Sequence, residues 1–353
     1  MSLDKLRKKI NELDRKIVGF LNDRATISQA IGKMKLKTNK EIYSPHREKE
    51  VLEHVKGLSQ GPMTSDGLEA IYREIMSTSL SLEKALKIAY LGTEGSFTHM
   101  AANKKFGSQV EYVSCSSIPE VFQKVDRQEC DYGVVPVENS VEGAVTHTFD
   151  LLVDSELKIY SQVLLKISHN LLAKCNLKDI KVVYSNPNAF GQWRNWLAQN
   201  LSRAGQIWVA STTEAAQKVV KQEYSAAIAS SMAARVYNLP IIHSDIQDIA
   251  HNMTRFLVLA TKDVPPTGKD RTSILFSIKD KVGALHAMLI PFTKNNINLT
   301  KIESRPSKKK AWDYYFFVDL EGHREDGNVK EALQELEGMC KYLKVVGSYP
   351  IIE

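Results

Sequence analysis

The chain has 353 residues, 43% hydrophobic and 25% charged, which excludes a disordered chain, a collagen-like repeat and a small disulfide scaffold and suits two or three domains. Its 47 basic and 41 acidic residues leave a formal charge of +6. The basic runs Arg7-Lys8-Lys9 and Lys308-Lys309-Lys310 carry no aromatic stacking pattern, so small anionic substrates, not nucleic acid, are the expected partners. Cys115, Cys130, Cys175 and Cys340 make no CxxC pair, so neither a metal nor a disulfide framework is expected. The N-terminus has no apolar signal core and no run approaches about 18 apolar residues, which predicts a soluble cytoplasmic protein with no membrane partner.

Residues 1 to about 86 read as all helix. Leu3, Leu6, Ile10, Leu13, Ile17, Phe20, Ile27, Ile31 and Met34 recur at spacings of three and four, predicting one helix of more than thirty residues, about 45 Å long. A helix of that length with a continuous seam packs against a partner chain. Pro45 starts a second helix through Leu58, turn residues fill Gly57 to Gly67, and a third helix runs from Leu68 to Leu86.

From Ile88 to about Lys269 the period changes. Short apolar strands (Ile88–Leu91, Tyr132–Val137, Lys181–Tyr184, Ala226–Ala229, Phe256–Ala260) alternate with helical stretches (Phe97–Phe106, Ile118–Arg127, Ala189–Leu201, Glu214–Gln222). This predicts a two-lobed α/β domain with largely parallel sheets and ligands at the carboxyl ends of its strands. Val264-Pro265-Pro266-Thr267-Gly268 is a linker by composition. The remainder reads strand (Thr272–Ile278), helix (Gly283–Thr293), strand (Ile297–Ser304), strand (Trp312–Leu320), helix (Asn328–Gly338) and strand (Tyr342–Tyr349), a ferredoxin-like α+β order.

The helical segment carries charges on its packed face. The seam slot after Phe20 is Arg24, and Lys35 follows eleven residues later. Both project along nearly the same line with Cα atoms about 16 Å apart, room for a small dianion. Arg7 lies about 25 Å before Arg24 on the same helix, so it points to a site in a partner protomer. On the third helix Ser79 and Glu83 continue one face. An internal salt-bridge network is the alternative to a ligand site here.

The runs Leu6-Arg7-Lys8-Lys9-Ile10, Leu21-Asn22-Asp23-Arg24, Ile31-Gly32-Lys33-Met34-Lys35 and Pro45-His46-Arg47-Glu48 resemble the all-helical chorismate mutases. The resemblance implies that Arg7 (from the partner chain), Arg24 and Arg47 bind the carboxylates of chorismate. Lys35 and Glu83 would face the ether oxygen, with Glu48 and Ser79 holding the ring hydroxyl and nearby polar groups. A pericyclic rearrangement needs no nucleophile or cofactor, only a compact conformer and stabilised charge on that oxygen. Where some members have Gln this chain has Glu83, which donates to the ether oxygen only when protonated.

In the middle segment Leu91-Gly92-Thr93-Glu94-Gly95-Ser96-Phe97 is a strand, a glycine turn and a helix start. Val135-Pro136-Val137-Glu138-Asn139-Ser140 and Ser185-Asn186-Pro187 with Gln192 follow strand ends. Ser211-Thr212-Thr213 opens a helix and reads as an N-cap, and Asn252-Met253-Thr254-Arg255-Phe256 comes immediately before a strand. Together these resemble prephenate dehydratase. The resemblance implies that Thr254 donates or relays a proton to the departing hydroxyl, that Arg255 binds carboxylate or polarises Thr254, and that Phe256 packs on the ring. Glu138, Asn139, Ser140, Ser185 and Gln192 would position substrate and water. A periplasmic-type binding lobe without chemistry is the alternative for the same build.

In the last segment Gly283-Ala284-Leu285-His286 begins a helix and Glu303-Ser304-Arg305-Pro306 ends a strand, where Pro306 stops pairing. Both motifs resemble those of the ACT regulatory domain, which implies phenylalanine bound between paired domains and feedback inhibition.

The expectation is a multidomain chain: an all-α helical chorismate mutase domain over 1–86, a two-lobed α/β prephenate dehydratase domain over 87–264 and a ferredoxin-like α+β ACT domain over 269–353. The resemblance implies a homodimer that converts chorismate to prephenate and prephenate to phenylpyruvate, without cofactor. The alternatives are a dehydratase whose mutase domain only dimerises, and a non-catalytic aromatic-ligand sensor.

Overall fold

The computed structural model describes residues 2–38, 41–187, 192–249, 251–278, 282–306 and 314–351. The chain divides into two compact units, Met1–Lys87 with Lys105–Tyr112, and Ile88–Lys104 with Val113–Glu353.

The first unit is built on α1 (Leu3–Lys37), α2 (Pro45–Leu58) and α3 (Ser65–Glu83). Ser44 caps α2 by accepting from the Arg47 N–H, ahead of a proline at the first helical position. Thr64 caps α3 by accepting from the Gly67 N–H, so that helix begins and ends about three residues earlier than its apolar spacing predicts. Only Ser28 and Gly32 of α1 are buried. A Cβ on Gly32 would lie 2.8 Å from the Glu83 Cβ, so the missing side chain lets the two helices approach closely. The apolar seam of α1 is exposed: Leu6, Ile10, Leu13, Ile17, Phe20, Ile27 and Met34.

The second unit holds three sheets. The first uses β1 (Lys87–Leu91), β2 (Glu111–Cys115), β3 (Tyr132–Asn139), β4 (Gly143–Ala144), β5 (Lys158–Lys166) and β11 (Met253–Ala260), in the order β2-β1-β3-β11-β5 with β4 on β3. The second, in the order β10-β6-β9-β7-β8, uses β6 (Asn170–Ala173), β7 (Val182–Ser185), β8 (Gly205–Trp208), β9 (Ser225–Ala229) and β10 (Ile241–His243). Two lobes with separate apolar cores result. The helices are α4 (Phe97–Phe106), α5 (Ile118–Asp126), α6 (Thr146–Asp154), α7 (Arg194–Asn200), α8 (Thr212–Lys221) and α9 (Ser231–Val236).

The sheets are mixed, not largely parallel. β1–β3, β7–β8 and β7–β9 are parallel, whereas β11 runs antiparallel between β3 and β5 and β6 runs antiparallel to β9. The reason is the return of the chain: β11 comes back from the second sheet and fills a gap in the first, and an antiparallel strand needs no crossover helix. Thr254, Arg255 and Phe256 consequently lie inside β11, not before a strand. Of the helix expected over Ala189–Leu201, the described part is α7, and Ala189 lies outside the described residues.

The third sheet, β13-β14-β12-β15, is antiparallel throughout. It comprises β12 (Asp270–Ser277), β13 (Leu299–Pro306), β14 (Tyr314–Glu321) and β15 (Tyr342–Pro350), with α10 (Ala284–Lys294) and α11 (Gly327–Met339). Strand order and the βαββαβ succession agree with the ferredoxin-like expectation. Trp312 and the Lys308-Lys309-Lys310 run lie outside the described residues. Pro306 is the last residue of the edge strand β13 and is still in register with Tyr314 of β14.

Candidate functional site

A cavity of about 380 Å³ opens in the first unit, lined by Arg24, Lys35, Arg47, Glu48, Ser79 and Glu83 among others. Arg24 Nη1 donates to Ser79 Oγ at 2.6 Å. Lys35 Nζ donates to the Ile42 carbonyl at 2.6 Å and stands 3.5 Å from Glu83 Oε2. The Glu83 side chain is 8% exposed. Burial pushes its carboxyl above the usual range, with Lys35 and Arg24 pulling the other way. Glu48 Oε2 accepts from Tyr43 (2.6 Å) and from Lys105 (2.8 Å). Arg47 reaches the wall, but its side chain is 72% exposed and its guanidinium donates to Glu50 Oε2 at 3.0 Å. Arg7 is not brought to this cavity: its side chain is 69% exposed, near Asp4. Sequence reasoning missed Lys105, whose side chain is 8% exposed.

In the second unit a hydrogen-bond chain joins the two lobes. Asn139 sits directly opposite Thr254 across the β3–β11 ladder, and its Nδ2 donates to Thr254 Oγ1 (2.8 Å) and to Asn252 Oδ1 (2.6 Å). Asn252 Nδ2 donates to Gln192 Oε1 (2.7 Å), and Gln192 Nε2 donates to Glu142 Oε1 (2.7 Å). His169 Nε2 lies 3.1 Å from the same Gln192 oxygen, and because an amide oxygen only accepts, His169 carries its proton on Nε2. Burial lowers the pKa of His169 to about 4, so the imidazole is neutral at pH 7. Phe97 meets its ring edge-on at 5.2 Å. Thr254 accepts one bond here, which leaves its own hydroxyl hydrogen for a donor role. Phe256 is buried and shares the Thr254 face by strand alternation.

Arg255 is not brought together with Thr254. It projects from the other face of β11, where Nη1 donates to Asp319 Oδ2 at 2.6 Å and Nη2 to the Tyr349 hydroxyl at 2.8 Å. Its side chain is 11% exposed. Desolvation opposes its charge, and Tyr349 and Asp319 more than restore it. Glu138, opposite Arg255, pairs with Lys301 at 2.8 Å. Ser140 Oγ donates to the His251 carbonyl and accepts from Met253 N–H, and the buried Ser185 donates to the Ile228 carbonyl; both fasten backbone. Ser211 caps α8 as expected, and Thr213 meets Thr93 at 2.6 Å. Asn188, Ala189, Phe190 and Gly191 of the motif before Gln192 lie outside the described residues. Asn252 lies just before β11, two residues ahead of Thr254 in the same short sequence run. Nothing in the sequence around His169 or Glu142 marks them.

In the third sheet's domain Gly283 caps α10 in the left-handed region (φ +76°), a conformation that favours glycine. Ala284 is buried, Leu285, His286, Ser304 and Pro306 are exposed, and Glu303 and Arg305 are half-buried at the end of β13. Arg305 stands 3.6 Å from Asp150. Among the described residues no group of three or more His, Cys, Asp or Glu could hold a metal, and no helix is long and apolar enough to cross a membrane.

Three family models match in order: chorismate mutase type II over residues 6–84, prephenate dehydratase over 88–264 and the ACT domain over 272–338. A bifunctional chorismate mutase/prephenate dehydratase of Aquifex aeolicus is 47% identical over 353 residues, covering 99% of this chain and 98% of the relative. One of Pseudomonas aeruginosa is 42% identical, with 99% and 97% covered. The crystal structure of prephenate dehydratase in complex with L-Phe from Arthrobacter aurescens is similar at TM-score 0.70 and 31% identity, over 75% of this chain and 90% of that one.

Proposed function

We propose the following division of labour for this chain, which belongs to the bifunctional chorismate mutase/prephenate dehydratase family. It is an enzyme with two activities, an isomerase that rearranges chorismate to prephenate and a lyase that converts prephenate to phenylpyruvate. It serves phenylalanine biosynthesis and is inhibited by phenylalanine. Residues 1–86 make the mutase, 87–264 the dehydratase and 269–353 the regulatory domain, and the chain works as a homodimer in the cytoplasm. The exposed apolar seam of α1 supports the dimer, because a stripe of that length is covered in solution by a second apolar surface.

In the first unit Arg24 and Arg47 take the substrate carboxylates, with Arg7 supplied by the partner protomer. Lys35 and protonated Glu83 stabilise the charge that develops on the ether oxygen, while Glu48 and Ser79 orient the ring hydroxyl and nearby groups. In the second unit Thr254 passes a proton to the departing hydroxyl. Asn139 and Gln192 hold its surroundings, and Ser140 and Ser185 keep the backbone that carries them. Loss of carbon dioxide and water together gives an aromatic ring, so the protein has to orient, donate and exclude water. Arg255 and Glu138 act from the opposite sheet face through the regulatory domain. Gly283 to His286 and Glu303 to Pro306 form the phenylalanine site.

The observation that carries this reading is the continuous chain from Thr254 through Asn139 and Asn252 to Gln192 and His169, built separately from the cationic cavity around Arg24 and Lys35. Product formation from chorismate, stopped in base because acid converts prephenate to phenylpyruvate without enzyme, tests it. Phenylpyruvate is expected, with its rate falling when phenylalanine is added. Unchanged chorismate together with unchanged prephenate would favour a non-catalytic sensor.

A further inference from the structure

The cavity that takes chorismate in the reading above is completed by a cation from outside the 6–84 match. Lys105 lies one residue before the end of α4, and its ammonium is held 2.8 Å from Glu48 Oε2 and 5.6 Å from the centroid of the Tyr43 ring. A lysine that buried needs partners, and it has a carboxylate and a ring face. The chain around it is fixed on the same unit. Phe106 packs on Tyr43 at 5.0 Å, and Gln109 N–H donates to Ser77 Oγ at 3.0 Å. Gly107 adopts φ +73° where a Cβ would collide with Ser77, so only glycine lets this segment lie against α3.

Glu48 has two oxygens with different duties. Oε2 is committed to Tyr43 and Lys105. Oε1 makes no bond among those found in the described residues, and the residue lines the cavity. We propose that Lys105 is a positioning residue of the mutase site: it locks the Glu48 carboxylate so that its free oxygen accepts the ring hydroxyl of the substrate. The rearrangement in this chain therefore depends on a residue carried by the prephenate dehydratase stretch of the sequence. The proposal rests on the mutase reading of the cavity.

The test uses the full chain with Lys105→Met, Lys105→Arg, Glu48→Gln and the double variant Lys105→Met/Glu48→Gln. Chorismate consumption is the readout, with prephenate turnover on the same samples as the control for folding. Lys105→Met is expected to lower mutase kcat/KM about tenfold to a hundredfold, the range for a buried charge-assisted hydrogen bond, while prephenate turnover stays within about twofold. Lys105→Arg should recover most of the loss, and in the Glu48→Gln background Lys105→Met should cost little more. A Lys105→Met chain that consumes chorismate like the parent overturns the proposal alone, and so do fully multiplicative losses in the double variant. Loss of both activities in Lys105→Met and Lys105→Arg would make Lys105 a folding residue and overturn it too. A parent chain that turns over prephenate but never chorismate removes the mutase reading itself.

Discussion

Arg255 Nη1 donates to Asp319 Oδ2 at 2.6 Å, while the neighbouring Thr254 faces Asn139 on the other side of the same strand. The strand that carries Thr254 is thus pinned from behind by a carboxylate of the ferredoxin-like domain. Removing one member of a buried pair leaves the other charge uncompensated, at a cost of about 3–5 kcal/mol. Asp319→Leu is expected to lower the unfolding free energy measured in urea by that order, with a lower midpoint, and Arg255→Leu/Asp319→Leu should cost clearly less than the two single changes added. Additive losses would mean that the pair is not coupled.

The proposed role of Glu83 carries a pH dependence for the mutase. Burial raises its carboxyl above the ordinary value, and only the protonated form donates to an ether oxygen. Mutase kcat/KM is therefore expected to fall as pH rises through the Glu83 pKa, and Glu83→Gln, always a donor, should flatten the profile. A parent profile with no fall anywhere from acid to neutral pH contradicts this role.

How much of this could be read from the sequence depends on the period. The heptad-like spacing of α1 and Pro45 at the start of α2 located both helices to within three residues, because local chemistry alone decides them. The antiparallel return of β11 was not legible, since it is set by a gap left in a sheet formed far away in the chain. The same error hid the duties of the Thr254-Arg255-Phe256 triplet. Once these residues lie in a strand, neighbours point to opposite faces, so Thr254 meets Asn139 while Arg255 meets Asp319. Lys105 stayed hidden because its partner Glu48 belongs to a helix 57 residues earlier, and no local pattern links them.

His169 links acidity to stability. Its pKa falls from 6.5 to about 4 by burial, so the folded chain binds fewer protons than the unfolded chain between those values. Stability is fully present above pH 6.5 and is lost as pH falls toward 4, by about 3 kcal/mol from this group. Unfolding midpoints measured from pH 7 to 4.5 should drop more steeply in the parent than in His169→Gln. Parallel curves would show that His169 does not contribute.

The α1 seam has a structural and a catalytic consequence. Leu13→Glu/Ile17→Glu places two charges on the exposed stripe, and light scattering should register a shift from dimer toward monomer. If the proposed dimer supplies Arg7 to the partner's cavity, chorismate turnover should fall with it and should recover as protein concentration rises. Full mutase activity in a monomer would contradict the shared site.

The most direct measurement is a crossed pair of single variants assayed separately on chorismate and on prephenate. Lys35→Ala removes the cation beside Glu83, and Thr254→Val removes the hydroxyl held by Asn139. Two independent sites in one chain predict that Lys35→Ala loses chorismate turnover by about a hundredfold or more and keeps prephenate turnover, while Thr254→Val does the reverse. Either variant losing both activities, or both variants keeping both, would contradict the account.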